Sequence, residues 1–290
     1  MNWMNQQINI TIKSIMSLKN FIKSQLGCVL APRYISILTD NESLKMYSQA
    51  FTAPSLNPLV NYEYLEQMGD VSANKFLVYY FYKRFPKLLC PLGVKVVARL
   101  KINYGSKQCF SSIAERLGFE PFILVTPDDM AHNRRDLLED VFESFIGVTE
   151  LILDTRVHVG VGAVAITQYL TAVFDQLDIS LNYDDLYDAK TRLKEIIDRH
   201  GRELGKIKYA ERKNMSSGIT ESTIRLIKSQ RIIGQGLGAS KSIAQQTGAE
   251  IAIGYLRNQG YTKEIPPEYY VFSQCPNQKK KKNERRNKKK

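Results

Sequence analysis

The sequence predicts an all-α unit followed by a smaller α-β-β-β-α unit. Before residue 200 no run alternates apolar and polar residues, while apolar residues recur at helical spacing over much of that stretch. After Asp184-Asp185 the pattern changes to one short amphipathic helix, three strand-like runs and a final helix. The charge changes at the same place. Residues 1–183 hold 17 basic and 17 acidic residues, residues 184–262 hold 14 and 9, and residues 279–290 hold nine and one. A chain of 290 residues, 43% of them hydrophobic, can bury a core in one or two domains.

Taken in order, residues 1–30 read as an amphipathic helical extension, with Ile8, Ile12, Ile15, Met16 and Leu18 among polar residues. Pro32 and Pro54 bracket a helix-like segment, and Asn57-Pro58 breaks the chain. A long helix is expected over 61–83, ending before Pro86 because the residue ahead of a proline disfavours helix. Shorter helices follow near 93–100 and 111–117. Thr126-Pro127-Asp128-Asp129 is a turn with helix-starting character, and helices over 134–153 and 162–177 complete the first unit. In the second unit a helix over 188–201 turns Leu193, Ile196 and Ile197 inward, with Gly201 as its stop. Strands are expected over 206–213, 219–227 and 230–235, where Ile207/Tyr209 and Ile224/Leu226 alternate as in a half-buried antiparallel sheet. Ser240 then caps a helix through 256, with Ile243, Ala244, Ile251, Ala252 and Tyr255 on one side. The tail after 262 ends in a low-complexity basic run expected to be disordered.

Several classes are disfavoured. Cys28, Cys90, Cys109 and Cys275 are scattered without close pairing, as expected of free thiols in a reducing compartment. Lys13, Lys19 and Lys23 interrupt the N-terminal apolar residues, so no signal core forms. The longest apolar run, 157–174, contains His158, Gly160, Gly162 and Gln168 and reads as a packed helix, not a membrane span. The expectation is an intracellular protein, cytoplasmic or nuclear, not secreted. A net charge of +12 concentrated in the C-terminal half fits a polyanion-binding module.

The chemistry points to two acidic rows. Glu63, Glu66 and Asp70 stand at i, i+3 and i+7, one face of a helix whose other side carries Leu65, Met68, Phe76 and Tyr79 or Tyr80. Asp140 and Glu143 repeat the i, i+3 spacing opposite Leu138, Val141, Phe142, Phe145 and Ile146. One such row alone reads as a solvated face, since like charges at this spacing repel. Two rows packed side by side would bring Glu66, Asp70, Asp140 and Glu143 to one oxygen-only site. That donor set suits a hard cation such as Mg²⁺, and without His or Cys it disfavours zinc.

The wording Glu63-Tyr-Leu-Glu66-Gln-Met-Gly-Asp70 together with Asp136-Leu-Leu-Glu-Asp140-Val-Phe-Glu143-Ser-Phe-Ile-Gly147 resembles the two catalytic motifs of the ribonuclease III family. Phe81-Tyr-Lys-Arg-Phe-Pro86 is similar to the segment that trails the first motif. The second unit, with Lys190-Thr191-x-Leu193 in front and Gly236-Leu-Gly238-Ala-Ser240-Lys241 before its last helix, resembles the double-stranded RNA-binding domain. The resemblance covers most of the chain. It implies an N-terminal extension (1–30), a helical nuclease domain (31–180), an RNA-binding domain (184–262) and a basic tail (263–290). It further implies a homodimeric endoribonuclease that cuts double-stranded RNA to staggered ends with 5′-phosphates and 3′-hydroxyls. Glu66, Asp70, Asp140 and Glu143 would hold Mg²⁺, with Mn²⁺ able to replace it, and Glu63 would support them. Lys190, Thr191, Gly236, Gly238, Ser240 and Lys241 would meet RNA, the two glycines by letting the backbone approach the duplex. The alternative is a non-catalytic RNA-binding scaffold on the same fold, which loss of one of the four acids would favour; all four are present.

Departures are informative. Ser242 stands where a second lysine is usual, and Asn214-Met-Ser-Ser-Gly218 lacks the expected Pro-x-His, both implying weaker or altered duplex binding. Val71 follows Asp70 in place of the common Ser, and no acid lies between Asp70 and Glu115, where relatives place an accessory one. The segment Gly69-Asp70-Val-Ser-Ala-Asn74-Lys75 resembles divergent family members of large DNA viruses more than bacterial forms.

Overall fold

The computed structural model describes residues 16–273. The expectations for Ile8, Ile12, Ile15, Cys275 and the basic run 279–290 fall outside that range, while the start of the 263–290 tail is corrected: Pro267–Ser273 is helical, with Tyr269 and Phe272 buried. The chain divides between Ile179 and Ser180 into two compact units.

In the first unit the described elements are helical. A helix over residues 16–26 (α1) buries Phe21, Ile22 and Leu26. The segment between Pro32 and Pro54 is two helices, α2 (Pro32–Leu38) and α3 (Asn41–Ala50). The break arises because Asp40 leaves the helical region and caps α3, its carboxylate accepting the Ser43 N–H at 2.9 Å. Next come α4 (Glu63–Arg84), α5 (Gly93–Tyr104) and α6 (Lys107–Leu117), the last capped by Ser106 and ended by Gly118 in the left-handed region at φ 77°. The helix α7 (Pro127–Arg156) runs further upstream than expected, through a kink at Asn133 (φ −119°, ψ 19°), and α8 (Val161–Phe174) follows.

The helix α7 is the axis of this unit. Every residue from Val141 to Thr149 is buried, so its middle is enclosed on all sides. Around Phe145 the rings of Tyr47, Phe119 and Tyr169 stand at 5.5, 5.2 and 5.7 Å between centroids, an aromatic centre that favours edge-to-face and tilted contacts. Polar groups inside are matched: Tyr47 Oη and Thr149 Oγ1 share a hydrogen bond at 2.7 Å, and the Ser144 hydroxyl donates to the Ala50 carbonyl. On α4 the inward residues are Leu65, Gly69, Ala73, Phe76, Leu77, Tyr80 and Phe81, so Tyr80 and not Tyr79 faces the core.

The second unit contains α9 (Tyr183–Leu186), α10 (Ala189–Arg199), α11 (Gly201–Leu204), β1 (Ile207–Lys213), β2 (Thr220–Leu226), β3 (Ile232–Gly238), α12 (Lys241–Asn258) and α13 (Pro267–Ser273). Gly201 begins α11 instead of ending the preceding helix. The sheet is antiparallel in the order β1-β2-β3, with Tyr209 opposite Ile224 and a bulge between Ile224 and Arg225. Its core joins Leu193, Ile196 and Ile197 of α10 to Ile224, Leu226 and Ile233 of the sheet and to Ala249, Ala252, Ile253 and Leu256 of α12. The expected α12 stripe is thereby corrected: Ile243 and Ile251 are each 52% exposed. This helix packs its small residues, because the facing strand offers glycines and the backbones come close. A Cβ on Gly234 would lie 2.2 Å from the Gly248 carbonyl oxygen, and one on Gly236 2.2 Å from that of Ala244. No described helix is long and apolar enough to cross a membrane.

Candidate active site

The two acidic rows lie on α4 and α7, and a pair of glycines brings them together. A Cβ on Gly69 would sit 1.7 Å from the Glu143 carbonyl oxygen, and one on Gly147 would sit 2.0 Å from that of Leu65. The helices therefore touch backbone to backbone at Gly69 and Gly147, where no side chain holds them apart. Glu66 and Asp70 flank Gly69, while Glu143 lies one turn before Gly147, so the crossing point sits beside the acids.

The electrostatics follow from that crossing. Burial, then the negative charges of Asp140, Glu139, Asp70 and Glu63, push the Glu66 carboxyl up to about 7. Glu143 is only 6% exposed. Burial, then Asp70, Glu139, Glu66 and Asp140, push it up to about 8. Among the described residues neither carboxylate has a hydrogen bond or ion pair. The four predicted ligands thus share one electrostatic neighbourhood, although no three described His, Cys, Asp or Glu side chains already stand in ligating arrangement. An all-oxygen set with two uncompensated acids fits a hard divalent cation, whose charge would offset their repulsion.

The remaining pair is better anchored. Asp140 accepts a hydrogen bond from Tyr62 Oη at 2.8 Å; burial raises its carboxyl and that bond lowers it. Asp70 is exposed and accepts from Asn74 Nδ2 at 2.6 Å, one turn along the same helix. Glu63 is exposed at the start of α4 and acts on the cluster only as the last of the charges on Glu66.

Four contributors escaped the motif reading. Gly69 and Gly147 were visible as letters but not as spacers. Tyr62 pairs with a residue 78 positions away. Lys107 on α6 pairs with Asp136 at 3.1 Å and Glu139 at 3.2 Å. It supplies a cation beside the acidic row from the very interval that lacks an accessory acid. The helix expected near 111–117 begins earlier, at Lys107 after the Ser106 cap, so this lysine lay outside the expected helix.

In the second unit Lys190, Thr191, Lys194, Lys206 and Tyr209 line an open depression of about 750 Å³ that also holds Asp188 and Asp198. The Thr191 hydroxyl donates to Asp188 at 2.7 Å, within the cap of α10. Lys190 Nζ donates to Gln245 Oε1 at 2.6 Å, Gln245 Nε2 donates to Glu211, and Glu211 pairs with Lys241 Nζ at 3.4 Å. Lys190 and Lys241 thus belong to one polar chain. Ser240 caps α12, accepting the Ile243 N–H at 3.3 Å. The reason expected for the glycines is corrected. Gly236 is buried against α12, and a Cβ on Gly238 would meet the Ala244 nitrogen at 2.6 Å, so both serve helix–sheet packing.

No family model matches the chain. Whole-protein similarity is extensive. Over 270 residues the chain is 39% identical to the "Putative ribonuclease 3" of Invertebrate iridescent virus 6, covering 88% of this chain and 92% of that one. The protein of the same name in Frog virus 3 (isolate Goorha) is 40% identical over 245 residues, 82% of this chain and 64% of that relative. "Ribonuclease 3" of Limosilactobacillus fermentum is 33% identical over 248 residues, 81% of this chain and 98% of the bacterial one. The chain belongs to the ribonuclease III family of endoribonucleases.

Proposed function

We propose that the protein is a Mg²⁺-dependent endoribonuclease specific for double-stranded RNA, with Mn²⁺ able to replace Mg²⁺. One observation supports this most: Glu66 and Glu143, half-buried and buried, each feel the charge of the other acids of the cluster and have no cationic partner among the described residues. In a merely structural role such a pair would cost stability. In a family of nucleases it suits a cation that arrives with phosphate. Glu66, Asp70, Asp140 and Glu143 would hold the ion, and Glu63 would add negative charge at the rim. A bound Mg²⁺ supplies charge neutralisation at the scissile phosphate and lowers the pKa of water. The chain's own part is to fix four oxygen donors on two helices in backbone contact and to keep competing cations out. Lys107, held by Asp136 and Glu139, stays beside the cluster without entering it.

The second unit is proposed as the double-stranded RNA-binding domain. Lys190, Lys241 and the Ser240-capped start of α12 would meet phosphates, as a helix N-terminus favours anions. Such domains read A-form shape with little base specificity. Thr191 would contribute through the shape of the α10 start, and Gly236 and Gly238 by holding α12 in place. A homodimer through the nuclease unit would cut both strands, leaving staggered ends with 5′-phosphates and 3′-hydroxyls.

The test is incubation of purified protein with long double-stranded RNA and Mg²⁺, alongside Glu143→Gln and a Ca²⁺ control. Cleavage to short duplexes by the wild type alone is expected. RNA that stays intact in Mg²⁺ yet shifts on a native gel would refute the enzyme and leave the scaffold reading.

A further inference from the structure

We propose that Tyr62 is a positioning residue for Asp140, holding one oxygen of that carboxylate so that the other is left for the cation. This rests on reading the four acids as a metal site.

Tyr62 is 5% exposed and immediately precedes α4. Its backbone is tied on both sides: its N–H donates to the Thr52 carbonyl at 3.0 Å, and its carbonyl accepts the Glu66 N–H at 2.8 Å. The residue is thus rigidly joined to the turn that carries Glu66. Its hydroxyl donates to Asp140 Oδ2 at 2.8 Å, the one hydrogen bond found for that side chain among the described residues. The bond crosses from the start of α4 to α7 and so ties two of the four acids into one frame.

The chemistry of the partner matters as much as its place. A lysine or arginine at this position would also orient Asp140, but would bring a positive charge into a site meant for a metal ion. A phenol donates one hydrogen bond and carries no charge. It fixes a carboxylate oxygen while leaving the negative charge of the cluster intact. Outer partners that orient ligating groups typically change metal affinity or activity 10–100-fold when removed.

The experiment compares wild type, Tyr62→Phe and Tyr62→Gln by calorimetric titration with Mn²⁺ in the absence of RNA. The melting temperature of each metal-free protein is measured alongside. Phenylalanine keeps the ring and removes only the hydroxyl. The expected result is Mn²⁺ binding about 10–100-fold weaker in Tyr62→Phe, a smaller loss in Tyr62→Gln because its amide can donate, and metal-free melting close to wild type for the phenylalanine variant. The Mg²⁺ concentration for half-maximal cleavage should rise, while RNA affinity measured in Ca²⁺ stays the same. Equal Mn²⁺ affinity in wild type and Tyr62→Phe overturns the inference. A Tyr62→Phe protein that fails to fold also overturns it, because the hydroxyl would then be structural. A wild type that binds no Mn²⁺ would instead refute the metal site itself.

Discussion

Alanine at position 147 would put a methyl carbon 2.0 Å from the Leu65 carbonyl oxygen and 2.9 Å from the Gly69 nitrogen. Ordinary contact begins at 3.4 Å, so α4 and α7 would have to part by roughly 1.4 Å at their crossing. Both obstructing groups are backbone, so no rotamer change relieves them. Overpacking of this kind costs about 1–3 kcal/mol, and alanine returns about 1 kcal/mol of helix propensity over glycine. A net loss of up to about 2 kcal/mol lowers the melting temperature of a unit this size by up to about 8 °C. Function suffers more, because Glu66 and Asp70 move with one helix and Asp140 and Glu143 with the other. A displacement near 1 Å at reacting groups costs about 100-fold in rate. Calorimetric melting and cleavage of a defined duplex under single-turnover conditions measure the two effects. Gly147→Ala that melts at or above wild type and cleaves at the wild-type rate would refute the backbone contact as the determinant of the site.

Other substitutions probe separate parts of the molecule. Gly236→Ala should weaken the second unit by about 1–3 kcal/mol, read by chemical denaturation, without affecting Mn²⁺ binding to the acids of the first unit. Asp40 caps α3 and pairs with Arg156 at 2.7 Å, which holds its carboxyl well below the usual range. With a side chain 38% exposed, solvent screens the ion pair, so Asp40→Asn should cost only about 1 kcal/mol. A carboxyl depressed in the folded state stabilises above its unfolded value of about 3.9 and loses that contribution as pH falls through the lower folded value. The wild-type advantage over Asp40→Asn should therefore be full near pH 7 and shrink below about pH 4 in pH-dependent melts. Arg134 pairs with Glu115 and Glu120 on an exposed surface, so Arg134→Gln should change stability by less than about 1 kcal/mol, and less still in high salt.

What could be read from the sequence was what is local and periodic. Leu65, Met68, Phe76 and Tyr79 or Tyr80 mark one side of a helix, so α4 was legible, and the acids on its other face came with it. The β strands were found from Tyr209, Ile224 and Leu226, whose alternation shows which side is covered. Groups that act by absence or at long range stayed hidden. Gly69 and Gly147 look like weak points in two helices until their backbones are seen in contact. Tyr62 looks like one more aromatic residue, because nothing near it in the chain points to Asp140. Ile243 and Ile251 misled for the opposite reason: large apolar residues were taken to face inward. The glycines of β3 instead admit only small residues, so the isoleucines turn outward. The Asp40 cap divided a helix-like stretch whose propensity alone gave no reason to break.

An interface made of backbone has a dynamic consequence. Most helix contacts loosen through side chains that hop between rotamers within picoseconds to nanoseconds. At Gly69 and Gly147 there is no side chain to hop, so the gap between the two helices cannot breathe on that timescale. Amide hydrogens around the crossing should exchange with solvent only through large openings of the unit, among the slowest in the protein. The carboxylates then stand on a frame stiffer than their own side chains, and any adaptation to an incoming phosphate must come from the outer ends of Glu66, Asp70 and Glu143.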